Sequence, residues 1–269
     1  MNFTVLISVY DKEKPEFLKA ALESIWTNQT LRPSEIVLVK DGILTPELDR
    51  VIEQFNIVAP LKICKLEKNV GLGHALAKGL NFCSNELVAR MDSDDISCPN
   101  RFEKQIRLMT DQPDLDISGT NIAEFHNQGD KVCSHRRLPS QFAEIKSFAK
   151  RRNPLNHMTV LFRKSAVISA GNYHPFFGYE DYYLWVRMLQ NGSVIANIPE
   201  DLVLARVGNN MFARRHGFRF FKQELKLQKK LLRMEFLNHR EYIRNIFLRA
   251  FPRIFPVWGL KLVYKFLHK

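Results

Sequence analysis

The stretch ELVARMDSDD, residues 86–95, decides how the chain folds. Leu87 to Met91 is a short, almost wholly apolar run of the kind that makes a strand buried on both faces. It ends in Asp92, Asp94 and Asp95. Three carboxylates so close repel one another unless something positive joins them. Hard oxygen ligands suit Mg²⁺ or Mn²⁺, which bind one or two carboxylates together with substrate phosphates. The competing reading is structural, a helix N-cap with acidic neighbours ahead of Pro99.

Upstream, the same alternation repeats. FTVLISVY (3–10), EIVLVK (35–40) and LKICKL (61–66) read as strands, followed by helical stretches at 16–27, near 46–56 and around 72–83. Apolar strands separated by helices predict an α/β fold with a mostly parallel sheet covered on both faces. Ligands of such sheets sit at the carboxyl ends of the strands. The turns to inspect are therefore Ser8–Asp11, Lys40–Gly42 and Met91–Asp95. Downstream the pattern is mixed. DISGTNIAEF (116–125), HMTVLF (157–162), SVIANI (193–198) and LVLARV (202–207) read as strands, 127–130 as a turn, and Tyr179 to Leu189 as a helix. After Gly217 the chain becomes amphipathic helix dense in Lys and Arg. No repeat or Gly/Ser linker interrupts it, so we expect a catalytic domain over 1–215 and a basic helical tail over 216–269.

Composition narrows the class. With 269 residues, 45% of them hydrophobic, the chain can bury a large core, which excludes disorder. The net charge of +12 is concentrated: Arg206 to Lys269 holds 16 Lys and Arg against 3 Asp and Glu, leaving 24 basic and 25 acidic residues before it. A basic tail suits an anionic partner, membrane lipid or nucleic acid. No helix-turn-helix, zinc or RNP pattern supports nucleic acid, and the acidic cluster argues against it. Phe3 to Val9 has no preceding Lys or Arg and meets Asp11 too early for a signal peptide, and no apolar run spans a bilayer. The four cysteines show no CxxC spacing, as expected of reduced cytosolic thiols.

Two further motifs carry chemistry. In YEDYYLW, Glu180 and Asp181 precede an aromatic-rich helix. A positioned carboxylate can take the proton of an attacking hydroxyl; alternatively, first-turn acids complement a helix dipole. In NVGLGHALAKGL (69–80), Asn69, Gly71 and Gly73 open a helix, where backbone amides favour anions. No GK[ST] follows, so it is not a P-loop. Arg90, Arg214, Arg215 and His216 are candidate cations for a phosphate leaving group, and Asn156 and His157 candidates for the acceptor side, as is Glu180.

SVYD (8–11), VKDG (39–42), NVGLGHALAKGL, RMDSDD, PNRFEKQ (99–105) and YEDYYLW together resemble, in order and spacing, the glycosyltransferase family 2 enzymes, over about residues 3–215. The resemblance implies the GT-A fold, with a nucleotide-binding half over 1–112 and an acceptor half over 113–215. It implies that the turn Ser8, Val9, Tyr10, Asp11 and the Asp41 carboxylate hold uracil and ribose. Asp92, Ser93 and Asp94 match the family's DxD segment, Asp94 as direct metal ligand and Asp92 nearer the ribose. Asp181 matches the proposed base of the ED motif. Many relatives have an acid where this chain has Lys40.

The resemblance implies an inverting, Mn²⁺- or Mg²⁺-dependent transferase that moves a hexose (galactose, N-acetylglucosamine or glucose) from a UDP-sugar to a polyprenyl-diphosphate-linked saccharide of a bacterial O-antigen or capsule. The tail would lie peripherally on the anionic cytoplasmic face of the inner membrane, its Phe and Leu in the acyl boundary and its cations at the headgroups. The rival readings are a nucleotidyltransferase or retaining transferase on a similar fold, or a basic nucleic-acid-binding protein.

Overall fold

The computed structural model describes residues 1–126, 131–208 and 216–254. Four parallel strands form one half of the sheet: β1 (Phe3–Val9), β2 (Glu35–Lys40), β3 (Leu61–Lys65) and β4 (Leu87–Asp92), in the order β3-β2-β1-β4. Helices α1 (Pro15–Ile25), α2 (Pro46–Asn56) and α3 (Leu72–Phe82) make the crossovers, and α1 and α2 each begin on a proline, which is preset for a first helical turn.

The apolar strands divide their side chains between two cores, because successive residues point to opposite faces. Val5, Ile7, Val9, Ile36, Leu38, Ala89 and Met91 face α1, α2 and α4 (Arg101–Asp111). Leu6, Val37, Val39 and Val88 face α3 and the helices of the second half. Helix α3 lies tight on this face: a Cβ at Gly79 would stand 2.4 Å from Val39 Cγ2 and 2.7 Å from Leu6 Cδ1.

The second half continues the sheet past β4. After β5 (Ile96–Ser97) come β6 (Leu115–Phe125), β7 (Ser134–Arg136), β8 (Leu161–Arg163) and β9 (Val194–Arg206). The order runs β4-β8-β6-β9-β5, with β7 on β6. β8 is antiparallel to β4 and β6, and β9 is parallel to β6. Helices α5 (Phe142–Ala149), α6 (Lys164–Ser169) and α7 (Glu180–Gln190) complete this half. Trp185, Tyr182 and Leu184 of α7 are fully or almost fully buried.

Two expectations are corrected. Residues 193–198 and 202–207 form one strand, β9, carried through a register shift opposite Thr120 and Asn121. In HMTVLF, His157–Thr159 is a 3₁₀ turn and the strand begins at Leu161. Thr159 explains the turn: its hydroxyl donates to the Asn156 carbonyl at 2.8 Å, a local bond that competes with a ladder.

The C-terminal segment forms α8 (Phe218–Arg233), α9 (His239–Asn245), a π turn (Ile246–Ala250) and a 3₁₀ turn (Phe251–Ile254). Leu227, Leu231, Phe236 and Leu237 join the core that holds Tyr179, Tyr182 and Trp185. Among the described residues no helix is long and apolar enough to cross a membrane.

Candidate active site

Parallel pairing brings three strand ends together. Ser8 lies opposite Asp92, and Val9 opposite Lys40. The Asp41 amide donates to the Val9 carbonyl at 2.8 Å, so the turns after β1 and β2 start side by side. Ser8 is half-buried, Val9 buried, and Tyr10 and Asp11 are exposed at the mouth. Asp41 is 5% exposed and accepts from the amides of Val70 (2.8 Å) and Gly71 (3.1 Å). It therefore pins the loop that opens α3, and Asn69 Oδ1 takes a second share of the Gly71 amide at 3.2 Å. Each Asp41 oxygen keeps another lone pair for a ligand. Lys40 turns away from the mouth, its Nζ 2.5 Å from Asp49 Oδ1 on α2.

At the end of β4, one carboxylate oxygen from each of Asp92, Asp94 and Asp95 lies within 4.8 Å of the others. Asp92 pairs with Arg90, whose guanidinium is 1% exposed and whose Nε and Nη1 have no hydrogen-bond partner. Burial pushes the Asp94 carboxyl up to about 7, with the charges of Asp92 and Glu13 adding to it. Burial likewise holds Asp95 well above the carboxylate range, reinforced by Asp92 and Asp94. Asp95 Oδ1 accepts from the Arg206 amide at 2.7 Å, but its Oδ2 is buried without a partner. Ser93 donates to Glu13 Oε2 at 2.5 Å, which brings a fourth carboxylate alongside. Such a cluster is short of positive charge. Its all-oxygen donors and orphaned oxygen fit a hard divalent cation.

Arg206 and Arg101 brace this turn from behind. Arg206 Nε donates to the Asp94 carbonyl at 3.0 Å, and its guanidinium stacks 3.8 Å from the Phe17 centroid and 4.6 Å from that of Phe125. The fully buried Arg101 donates to the Arg90 carbonyl at 2.7 Å. Gln105 bonds the carbonyls of Ser118 and Thr159, both at 2.9 Å. The PNRFEKQ motif thus ties α4 to β4, β6 and the 157–159 turn.

The YED segment arrives from the other half. A Cβ on Gly73, in the first turn of α3, would be 2.9 Å from Glu180 Cγ, so the glycine loop and the acidic turn are in contact. Burial raises the Glu180 carboxyl, and the neighbouring Asp181 charge adds to this against backbone amides that oppose it. Asp181 Oδ2 accepts from Asn153 Nδ2 at 2.5 Å. Tyr173 is buried within reach of charges from both carboxylate groups. Burial pushes its phenol up, while Arg90, Asp181 and Asp92 all act on it through their charges. Its hydroxyl is hydrogen bonded to His157 Nε2 at 3.0 Å. The His157 ring centroid lies 5.6 Å from that of Tyr173 and 6.0 Å from that of Trp185, and burial, then the Arg90 charge, keeps it neutral. Asn156 donates to the Thr120 carbonyl at 2.8 Å and leaves Oδ1 buried and unpartnered.

Arg90, Asp92 and Asp94 thus gather at the end of β4, Glu180 meets the loop of α3 at Gly73, and His157 bonds Tyr173, which feels the charges of Arg90, Asp92 and Asp181. His216 stands just before α8, and Arg214 and Arg215 lie outside the described residues. Sequence reading missed Glu13, Asn153, Tyr173 and Arg206. Only Glu13 carried a signal, as a second acid two residues after Asp11 of the SVYD turn.

The family description Glycosyl transferase family 2 matches residues 4–173. The amylovoran biosynthesis glycosyltransferase AmsE of Erwinia amylovora is 42% identical over 263 residues, 98% of each chain. An Escherichia coli UDP-Gal:alpha-D-GlcNAc-diphosphoundecaprenol beta-1,3-galactosyltransferase is 39% identical over 265 residues, 98% of this chain and 95% of the relative. Among solved structures, residues 1–349 of S. aureus TarS in complex with UDP-GlcNAc superpose with a TM-score of 0.69 at 17% identity, over 94% of this chain and 72% of that one. A mostly parallel sheet flanked by helices, the motifs at its strand ends and these matches agree: the chain belongs to glycosyltransferase family 2 and has the GT-A fold of a glycosyltransferase.

Proposed function

We propose that the protein transfers a hexose, with inversion, from a UDP-sugar to a polyprenyl-diphosphate-linked saccharide during assembly of a bacterial surface polysaccharide. The observation that supports this reading is the presence of two carboxylate groups of different kinds whose charges both reach the buried Tyr173. One is the charge-poor Asp92–Asp94–Asp95 cluster at the donor end of the sheet; the other is the Asp181 carboxylate held by Asn153. The half over 1–112 binds the nucleotide and the half over 113–215 the acceptor. The relatives named for amylovoran biosynthesis and for galactosyl transfer to a diphosphoundecaprenol-linked GlcNAc support the substrate class, and the second favours galactose over N-acetylglucosamine or glucose.

Asp94, with Asp92 and the orphaned Asp95 oxygen, would hold Mn²⁺ or Mg²⁺. A divalent ion there supplies Lewis-acid neutralisation of the diphosphate leaving group. Arg90 brings two unpartnered N–H groups to the same end of β4. Asp181 takes the acceptor hydroxyl proton while Asn153 fixes the orientation of its carboxylate. Ser8, Val9, Tyr10, Asp11, Asp41 and the Asn69–Gly71 loop frame the nucleoside.

The C-terminal layer supports peripheral attachment to the cytoplasmic membrane face. Phe218, Phe247 and Phe251 are exposed, at 62%, 63% and 37%. They form a continuous ladder through Phe221, with centroids 5.9 Å (218–221), 6.1 Å (221–251) and 5.4 Å (247–251) apart.

The test is a panel of nucleotide-sugars against an alkyl-diphosphate-linked N-acetylglucosamine acceptor, with product configuration read by NMR. A β-linked product from an α-linked UDP-hexose, lost in Asp181→Asn, is expected. Retention of configuration, or transfer of a nucleotidyl group, overturns the proposal.

A further inference from the structure

The C-terminal layer does more than cover the core, because its contact with the catalytic half centres on one buried carboxylate. Glu224 of α8 is 0% exposed. Its Oε1 accepts from Arg249 Nε at 2.8 Å and Gln228 Nε2 at 2.9 Å. Its Oε2 accepts from Arg253 Nη2 at 2.9 Å and from the Tyr179 hydroxyl at 2.6 Å. Docking an amphipathic helix requires only apolar contacts such as those of Leu227 and Leu231. Burying a carboxylate among four donors is costly to desolvate and highly directional, which suits the fixing of a geometry.

What this network fixes is the surroundings of Asp181. Tyr179 occupies the N-cap position of α7, two residues before Asp181. The same layer holds the opposite wall: Arg249 Nη1 donates to the Arg151 carbonyl at 2.6 Å, and Asn245 Nδ2 to the Lys150 carbonyl at 2.8 Å. Asn245 also donates to Gln228 Oε1 at 3.0 Å, closing the circuit back to Glu224. Asn153, the hydrogen-bond partner of Asp181, follows Arg151 by two residues. Both supports of the Asp181 carboxylate are therefore anchored on one C-terminal unit. Packing reinforces the Tyr179 side. Phe220 lies 5.3 Å from Phe177 by ring centroids, and Arg219 stacks 3.9 Å over Phe177.

We propose that Glu224 and Tyr179 are a positioning pair, through which the C-terminal layer holds the first turn of α7 so that the Asp181 carboxylate is set for proton transfer. This rests on the reading of Asp181 as the base. The pair touches no substrate. Its effect falls on turnover and leaves the donor subsite, built from the opposite half of the sheet, as it is.

Tyr179→Phe in the full chain tests this with little disturbance, since it deletes one hydroxyl and keeps the Glu224–arginine pairs. UDP binding in Mn²⁺ gives sites per chain and affinity; transfer from UDP-galactose, or whichever donor turns over in the panel, gives kcat and donor KM. Misplacing a catalytic group by a fraction of an ångström to one ångström costs up to about 100-fold. We expect kcat per UDP site to fall about 10-fold in Tyr179→Phe and further in Glu224→Gln, with donor KM and UDP affinity within two-fold of wild type. Because kcat is counted per UDP site, a variant that merely folds poorly loses sites and not turnover per site. A Tyr179→Phe kcat per site within two-fold of wild type overturns the pairing. Asp181→Asn, assayed in parallel, scores the base reading separately. If it retains turnover while Tyr179→Phe loses it, the base is wrong and the positioning of the turn stands.

Discussion

Gly73 and Glu180 are in contact across the two halves of the sheet: a Cβ on the glycine would stand 2.9 Å from Glu180 Cγ and 2.9 Å from the His174 carbonyl oxygen. One of these neighbours is backbone, so a side chain at 73 cannot be accommodated by a rotamer change alone. The glycine loop and the acidic turn, 107 residues apart in the chain, meet because Gly73 carries no side chain.

Gly73→Ala is therefore expected to push the α7 entry away from α3. Overpacking a tight contact costs about 1–3 kcal/mol, which should lower the thermal midpoint. The displaced Glu180–Asp181 turn should lower kcat more than UDP affinity. Thermal denaturation beside steady-state kinetics checks both, and a variant as stable and active as wild type would show that the two elements can part freely.

The acidic cluster makes a different prediction. Asp94 is pushed up to about 7 because burial and two nearby carboxylates oppose its charge, and a divalent cation relieves all three. Asp94→Asn should weaken Mn²⁺-dependent UDP affinity by more than about 10-fold and abolish transfer. Calorimetry with and without chelator reads the first, radiolabel transfer the second. Full transfer in excess chelator would falsify the metal assignment.

The DSDD turn was legible in the sequence because clustered acids closing an apolar strand repel one another and so point to a cation at the strand end. β1, β2 and β4 were legible because both of their faces are buried, and the edge strand β3, with Lys62 and Lys65 exposed, by its alternation. That Glu180 and Asp181 open a helix was legible in YEDYYLW; the role of Asp181 as base rests on the resemblance. What escaped depends on contacts between distant segments. Tyr173 and Asn153 sit in stretches with no pattern and Arg206 at the end of a strand, and each acquires its role from tertiary neighbours. The run 193–207 read as two strands because Pro199, Glu200 and Asp201 interrupt the apolar pattern, yet the backbone passes through with only a register shift. The tail misled in another way. Its Phe and Leu read as one amphipathic surface, whereas Leu227, Leu231 and Phe236 face the core and Phe218, Phe247 and Phe251 face outward.

Glu224 sets a pH dependence. Burial alone would raise its carboxyl, but Arg249, then Arg253 and the Tyr179 hydroxyl, outweigh burial and lower it from 4.5 to about 2. A group whose folded value is depressed contributes stability above its unfolded value and loses it as pH falls through the folded one. The window is therefore about pH 4.5 down to 2. Comparing thermal midpoints of wild type and Glu224→Gln from pH 3 to 7, the gap should be widest above pH 5 and close steadily below it. A gap of constant size would mean that the charge of Glu224 contributes nothing and only its shape matters.

The last prediction concerns the aromatic ladder. Phe218, Phe247 and Phe251 expose large rings to water, and Lys222 Nζ lies 4.6 Å over the Phe218 ring. Exposed rings joined by stacked and tilted contacts beside a cation fit an interface whose outer layer is anionic and whose inner layer is acyl chain. Each Lys or Arg near such a surface adds about 1 kcal/mol, and each inserted ring adds an apolar contribution that salt does not screen. Removing the whole tail cannot test this, because it would strip Leu227, Leu231 and the Glu224 network from the core. Substituting outward-facing rings leaves those contacts intact. Phe218→Ser with Phe247→Ser should therefore weaken sedimentation with phosphatidylglycerol vesicles at both low and moderate salt, with the thermal midpoint and UDP affinity kept. Raising salt on the wild-type protein should remove only the electrostatic share. If the double variant binds the vesicles as wild type does, the rings do not enter the bilayer and the ladder is not the membrane face.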